Sequence, residues 1–189
     1  MKKPYLLTDV DGVLLDWIKS FGDYVQTRGF KLNHATPKTW EMTDWFGGDH
    51  KTIVKLITEF NSSSDFSKIP TLEDAQRVLP ILADKYRLVA ITCCSTDKKT
   101  VNRRKSNLKM LGVKFEEVHC LNFTDSKIDL LKSYQPAIWV EDRIEGAESG
   151  ISAGHMSFLR EATYNQDQHH EDIVRVSSWD EILKIVHLK

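Results

Sequence analysis

Four short apolar runs constrain this chain more than any other feature: Tyr5-Leu6-Leu7, Arg87 to Thr92 (RLVAIT), Glu117 to Leu121 and Ala137 to Val140 (AIWV). Between them lie stretches whose apolar residues recur at helical spacing, and strands that alternate with helices imply a parallel sheet joined by right-handed crossovers. The expected fold class is therefore α/β, a Rossmann-like sheet with flanking helices. Helices are predicted over Asp16 to Gly29, His50 to Phe60, Lys98 to Leu111, Ser126 to Tyr134, Gly146 to Gly154 and Trp179 to His187, the last capped by Ser177 or Ser178. A further helix should start at Thr71 as N-cap, and Pro80 within it predicts a kink or a break. Ser157 to Leu159 reads as a short edge strand.

The alternation is interrupted once. From Phe30 to about Ile69 no buried strand is evident, and Trp40, Trp45, Phe46 and Phe60 are scattered among Gly, Asn, Ser and Asp. This texture predicts a helical cap inserted after the first strand, with residues 16–69 as the insert and residues 1–15 and 70–189 as the core. Asn61 to Asp65 (NSSSD) is the expected internal linker.

With 189 residues the chain can bury one core and a small appendage. Lys+Arg 26 against Asp+Glu 27 leaves a formal charge of -1, so no global field recruits nucleic acid or an anionic membrane. No apolar run approaches the roughly 18 residues of a membrane span, and MKKPYLLTDVDG breaks its apolar run too early for a signal peptide. A cytoplasmic protein is expected, acting alone or as a homodimer. Cys93, Cys94 and Cys120 lack C-x-x-C spacing, which argues for buried thiols rather than a disulfide frame or a zinc site.

Polar residues fall where the strands end. Asp9 and Asp11 follow the first run, Thr92 closes the second, Glu141 and Asp142 follow the fourth, and Lys127 begins a helix just past the third. Parallel strands bring such ends to one edge, where ligands bind in open α/β sheets. Acids hold a hard cation through oxygen while a hydroxyl and an ammonium neutralise phosphoryl oxygens, so the set fits a magnesium-held phosphate. On these residues alone Asp9 to Gly12 could equally be a surface Asx turn, and Thr92 a β-branched strand residue.

In this order the residues resemble the haloacid dehalogenase (HAD) superfamily of phosphohydrolases. Asp9-Val10-Asp11-Gly12-Val13 is similar to its first motif, Thr92 to its second, Lys127 to its third and Glu141-Asp142 to its fourth. DVDGVLLDW, the aromatic insert, Asp142-Arg143 and RVSSWDEI most resemble the 5'(3')-deoxyribonucleotidases. The chain departs at Cys93, where a small polar residue follows the threonine in that family.

The resemblance implies a magnesium-dependent phosphomonoesterase acting on a small nucleotide. Asp9 would be the nucleophile and Asp11 the acid and base. Magnesium would be held by Asp9, the backbone carbonyl of Asp11 and Asp142, with Glu141 an outer partner. Thr92 and Lys127 would hold the phosphoryl group, Lys98 or Lys99 being the alternatives to Lys127. Trp17 would face the nucleobase, while Trp40, Trp45 and Phe46 read as cap core. Arg143 could be a surface arginine or a substrate contact.

Other readings remain beside it. EDRIEGAESGISAG also resembles the fourth motif of sugar-phosphate phosphatases and mutases of the superfamily, and a silent binding protein could keep the fold. The basic run Asn102 to Lys105 reads as a solvated helix face. His169-His170 reads as part of a loop, with no third metal ligand spaced for it.

Overall fold

In a computed structural model that describes residues 2–187, six strands form one sheet in the order β3-β2-β1-β4-β5-β6. These are β1 (Tyr5–Thr8), β2 (Arg87–Cys93), β3 (Phe115–Leu121), β4 (Ile138–Glu141), β5 (Met156–Arg160) and β6 (Val174–Val176). All five pairings are parallel. Direction of winding reverses between β1 and β4, and that reversal opens a crevice beyond the strands' carboxyl ends.

Side-chain alternation along the strands fills both faces. Leu6, Leu88, Ala90, Ile138 and Val140 enter the main core, while Leu7, Val89, Ile91 and Trp139 enter a second one on the opposite face with Leu131. Helices α5 (Lys98–Lys109), α6 (Ile128–Lys132), α7 (Ile144–Ser152) and α8 (Trp179–His187) follow β2, β3, β4 and β6 in turn. Among the described residues no helix is long and apolar enough to cross a membrane.

Helices α1 (Trp17–Gln26), α2 (Thr43–Phe46) and α3 (His50–Ser62), with a 3₁₀ turn at Asp65–Lys68, lie between β1 and α4 (Glu73–Ala83). The chain leaves the sheet and returns to it side by side. Asp16 N donates to the Pro70 carbonyl (2.9 Å), and Leu72 N to the Leu14 carbonyl (2.8 Å). Aromatic rings fill the interior of this segment: Trp17 stacks on Phe21 with centroids 4.6 Å apart, and Phe60 lies 5.7 Å from Phe21. They belong to the same contiguous core as the sheet face.

Several expectations need correction. Asn61 and Ser62 end α3 rather than forming a linker, and Asn61 is buried because its amide bonds both Trp17 and the Cys94 carbonyl. Leu72, not Thr71, occupies the α4 N-cap position, since Thr71 is drawn into a bridge with Leu15. Pro80 does not break α4. It sits on the exposed side, where the carbonyl left without its helix partner can bond water. β5 is an interior strand because β6, too short to announce itself, forms the edge. α4 and α8 are joined by Asp74, which accepts from Trp179 N (2.9 Å) and from Arg160 (2.8 Å).

Candidate active site

β1 and β4 are neighbours at the winding reversal, and their last residues carry the acids. Asp9 N donates to the Val140 carbonyl (2.8 Å), which extends the ladder by one bond and sets Asp9 beside Glu141 and Asp142. Gly12 then turns the chain with φ +76°, a conformation that glycine adopts at little cost. A Cβ there would overlap the Asp142 carboxylate.

One cavity of about 180 Å³ opens at this edge, and it is lined by Asp9, Asp11, Trp17, Thr92, Cys93, Lys127, Glu141, Asp142 and Arg143. Every site residue expected from the sequence is thus brought to one place. Lys127 Nζ lies 2.6 Å from Asp9 Oδ1 and 2.7 Å from Glu141 Oε2, whereas Lys98 and Lys99 are exposed at the start of α5. Thr92 ends the buried part of β2 at 1% exposure. Cys93 Sγ donates to the Asp125 carbonyl (3.5 Å), and burial pushes its thiol up to about 11, so it is a neutral group in the cavity wall.

Asp9, Glu141 and Asp142 each offer an oxygen within 4.8 Å of the others, and all three are buried. The Asp11 carboxylate stands outside this group, paired instead with Arg104. Three acids against the single ammonium of Lys127 leave an excess of negative charge. Its electrostatic signature is visible. Burial raises Asp9 to about 7, with Lys127 opposing and Glu141 adding to the rise. Asp142 is raised by burial and by Glu141. Glu141 is pushed up by burial, but Lys127 and the Asp142 amide outweigh this and hold it below the usual range. A hard, oxygen-only donor set with surplus negative charge fits a magnesium ion.

Four contributors escaped the sequence reading. Tyr164 OH donates to Asp142 Oδ2, and Asn165 Nδ2 donates to the Asp142 carbonyl (2.7 Å), so a 3₁₀ turn after β5 fixes the fourth-strand acid. Only their position next to a polar loop could have marked them. Arg104, expected on a solvated face, has no exposure at all because Asp11 draws it inward. Trp40, read as cap core, is half-buried and lines the cavity beneath the Arg143 guanidinium, 4.6 Å from its ring. Trp17 also lines the cavity, but it is 5% exposed and packed on Phe21. His169 and His170 join no metal-ligand cluster among the described residues.

The backbone matches proteins of known architecture. A haloacid dehalogenase-like hydrolase, SP0104 from Streptococcus pneumoniae, superimposes with a TM-score of 0.66 at 16% identity, over 97% of this chain and 98% of that one. The fold is that of the HAD-superfamily hydrolases. Two further solved structures are similar over nearly the full length of both chains. The HAD-hydrolase YfnB from Bacillus subtilis, bound to magnesium, gives a TM-score of 0.60 at 12% identity, covering 99% of this chain and 100% of that one. D,D-heptose 1,7-bisphosphate phosphatase from Burkholderia thailandensis gives 0.59 at 12%, covering 99% and 100%. No protein-family model matches the sequence. By sequence, the chain is 26% identical over 191 residues to an uncharacterized 32.4 kDa protein in the Gp30-rIII intergenic region of Enterobacteria phage T4, covering 95% of this chain and 68% of that protein.

Proposed function

We propose that this HAD-fold protein is a magnesium-dependent phosphomonoesterase that acts on nucleoside monophosphates, deoxynucleotides foremost. The observation that carries the reading is the Lys127 ammonium between Asp9 and Glu141 at the edge of a cavity that Thr92 also lines. An anion seated there would meet a hydroxyl, an ammonium and a nucleophilic carboxylate together.

Asp9 attacks phosphorus in line and forms an aspartyl-phosphate as the bond to the leaving oxygen breaks. Asp11 gives that oxygen its proton. As a carboxylate it then takes a proton from the water that hydrolyses the aspartyl-phosphate. Thr92 and Lys127 orient and neutralise the phosphoryl oxygens. Magnesium, held by Asp9 and Asp142 with Glu141 adjacent, would reduce the repulsion between anionic nucleophile and anionic substrate. Residues 16–69 act as the cap that closes the cavity from above, with the half-buried Trp40 offering its ring to a base and Trp17 packed on Phe21.

A panel with magnesium tests the substrate class. Phosphate release from dUMP or dTMP should exceed that from sugar phosphates. Sugar phosphates ahead by more than about tenfold would instead favour the second reading, a metabolite phosphatase, for which the segment EDRIEGAESG speaks.

The buried acids give a test of magnesium that needs no turnover. Asp9 is raised to about 7 in the folded protein against 3.8 for the free group. Between those values the folded state holds a proton that the unfolded state has lost, so stability falls as pH rises. Glu141, lowered instead, contributes stability that is lost only below its usual range, outside this window. Metal-free protein should therefore melt at a lower temperature at pH 8 than at pH 5.5. Magnesium should raise the melting temperature more at pH 8, where its ligands are ionised. Equal magnesium shifts at both values would remove these acids as its site.

A further inference from the structure

Asn102 and Lys105 on α5 are exposed as expected, but Arg103 and Arg104 between them turn toward the segment that precedes α4. Residues 100, 103, 104 and 107 share one side of the helix, and each contacts the chain returning from the insert. Thr100 Oγ1 donates to the Asn61 carbonyl (3.4 Å), Arg103 to the Ser62 carbonyl (2.7 Å) and Asn107 Nδ2 to the Phe66 carbonyl (2.8 Å). The Arg104 guanidinium lies 4.3 Å from the Phe66 ring centroid. Of these four, Arg104 also reaches the site, donating through Nη2 to Asp11 Oδ2.

As a structural pin this arrangement is a poor bargain. Arg104 has no exposure, and its Nε and Nη1, like Asp11 Oδ1, are buried without a hydrogen-bond partner. Unsatisfied buried donors destabilise, and an apolar side chain of similar volume would hold the seam at least as well. What an apolar side chain could not do is orient a carboxylate.

We infer that Arg104 is a positioning residue: fixed on Phe66, it sets the orientation from which Asp11 passes its proton to the leaving oxygen, and links that orientation to the seating of residues 61–66. The inference rests on the phosphomonoesterase reading. When the phosphorus–oxygen bond breaks, the proton moves from the Asp11 carboxyl to the departing oxygen. In the second step the Asp11 carboxylate recovers a proton from the attacking water. Arg104 exchanges none in either step.

Leaving-group dependence separates this role from mere support. Phenyl phosphate needs a proton on its leaving oxygen, whereas 2,4-dinitrophenyl phosphate departs without one. The ratio kcat/KM reports phosphoryl transfer to Asp9 rather than the later hydrolysis. Arg104→Met should lose about 10- to 100-fold in kcat/KM on phenyl phosphate and less than about threefold on the dinitrophenyl ester. Arg104→Lys, which keeps the charge with a shorter reach, should restore part of the difference. In an Asp11→Asn background, Arg104→Met should cost less than about threefold more.

Equal losses on both esters, no loss on either, or full additivity with Asp11→Asn would overturn the inference. Should Arg104→Met fail to fold by thermal melt, the Lys variant decides: a folded Arg104→Lys protein with wild-type activity on phenyl phosphate overturns it as well. Wild-type protein inert on every phosphomonoester would take down the parent reading and this one with it. An active wild type with an indifferent Arg104→Met removes this one alone.

Discussion

Asp9→Asn should abolish phosphate release, a fall of at least about 10³-fold, while leaving the protein folded. An amide cannot form the acyl-phosphate, and no neighbouring acid can take its place. Glu141 is tied to Lys127, and Asp142 is held from behind by Tyr164 and Asn165. Stability should not follow activity down. Burial already raises Asp9 to about 7, so replacing it with a neutral isostere removes a charge that the fold holds at a cost. Phosphate release with magnesium, beside a thermal melt of the same sample, separates the two effects. Full turnover in this variant would remove Asp9 as the nucleophile and the proposed reaction with it.

Lys127→Met is the substitution with the largest expected effect on stability. The ammonium is nearly buried, at 11% exposure, between two carboxylates at 9% and 2%. Removing one partner of a buried ion pair leaves uncompensated charge, a loss of about 3–5 kcal/mol. For a chain of this size that is a fall of roughly 10 °C in melting temperature. Burial pulls the Lys127 ammonium down, but Asp9 and Glu141 outweigh this and raise it above 10.5. Its contribution is therefore complete below that value and disappears only as pH rises through the folded one. The carboxylates give the variant its own pH dependence. At pH 5 the protonation of Asp9 relieves the unpaired charge, so the deficit should be smaller there than at pH 8. Activity should fall as well, since no other ammonium is held between Asp9 and Glu141. A variant with unchanged melts at both pH values would show that the ion triad contributes no stability.

The parts of this protein that could be read from its sequence are those whose signals are local. Apolar runs such as RLVAIT announce strands because burial on both faces requires apolar residues throughout. The acids after β1 and β4 stand out because each interrupts such a run. Arg104 could not be read that way. Its neighbours Arg103 and Lys105 look like a solvated face, and what buries it is Asp11, 93 residues earlier in the chain. Tyr164 and Asn165 sit in a polar stretch with no periodicity, and their role depends on the turn that folds back onto Asp142. β6 has three residues, too few to show alternation, so the sheet gained an edge that its sequence does not advertise. Pro80 is the opposite case, a strong local signal overridden by the packing of Val78, Leu79 and Leu82 in the core.

The turn after β1 carries one more consequence. At Gly12 the backbone bends just past the two amino-terminal acids, and the space a methyl group would need is already taken by Asp142. Asp142 can sit this near the turn after β1 because residue 12 carries no side chain. Even alanine there would push the acids apart. The close approach of Asp142 to the end of the first strand therefore depends on the absence of a single carbon atom.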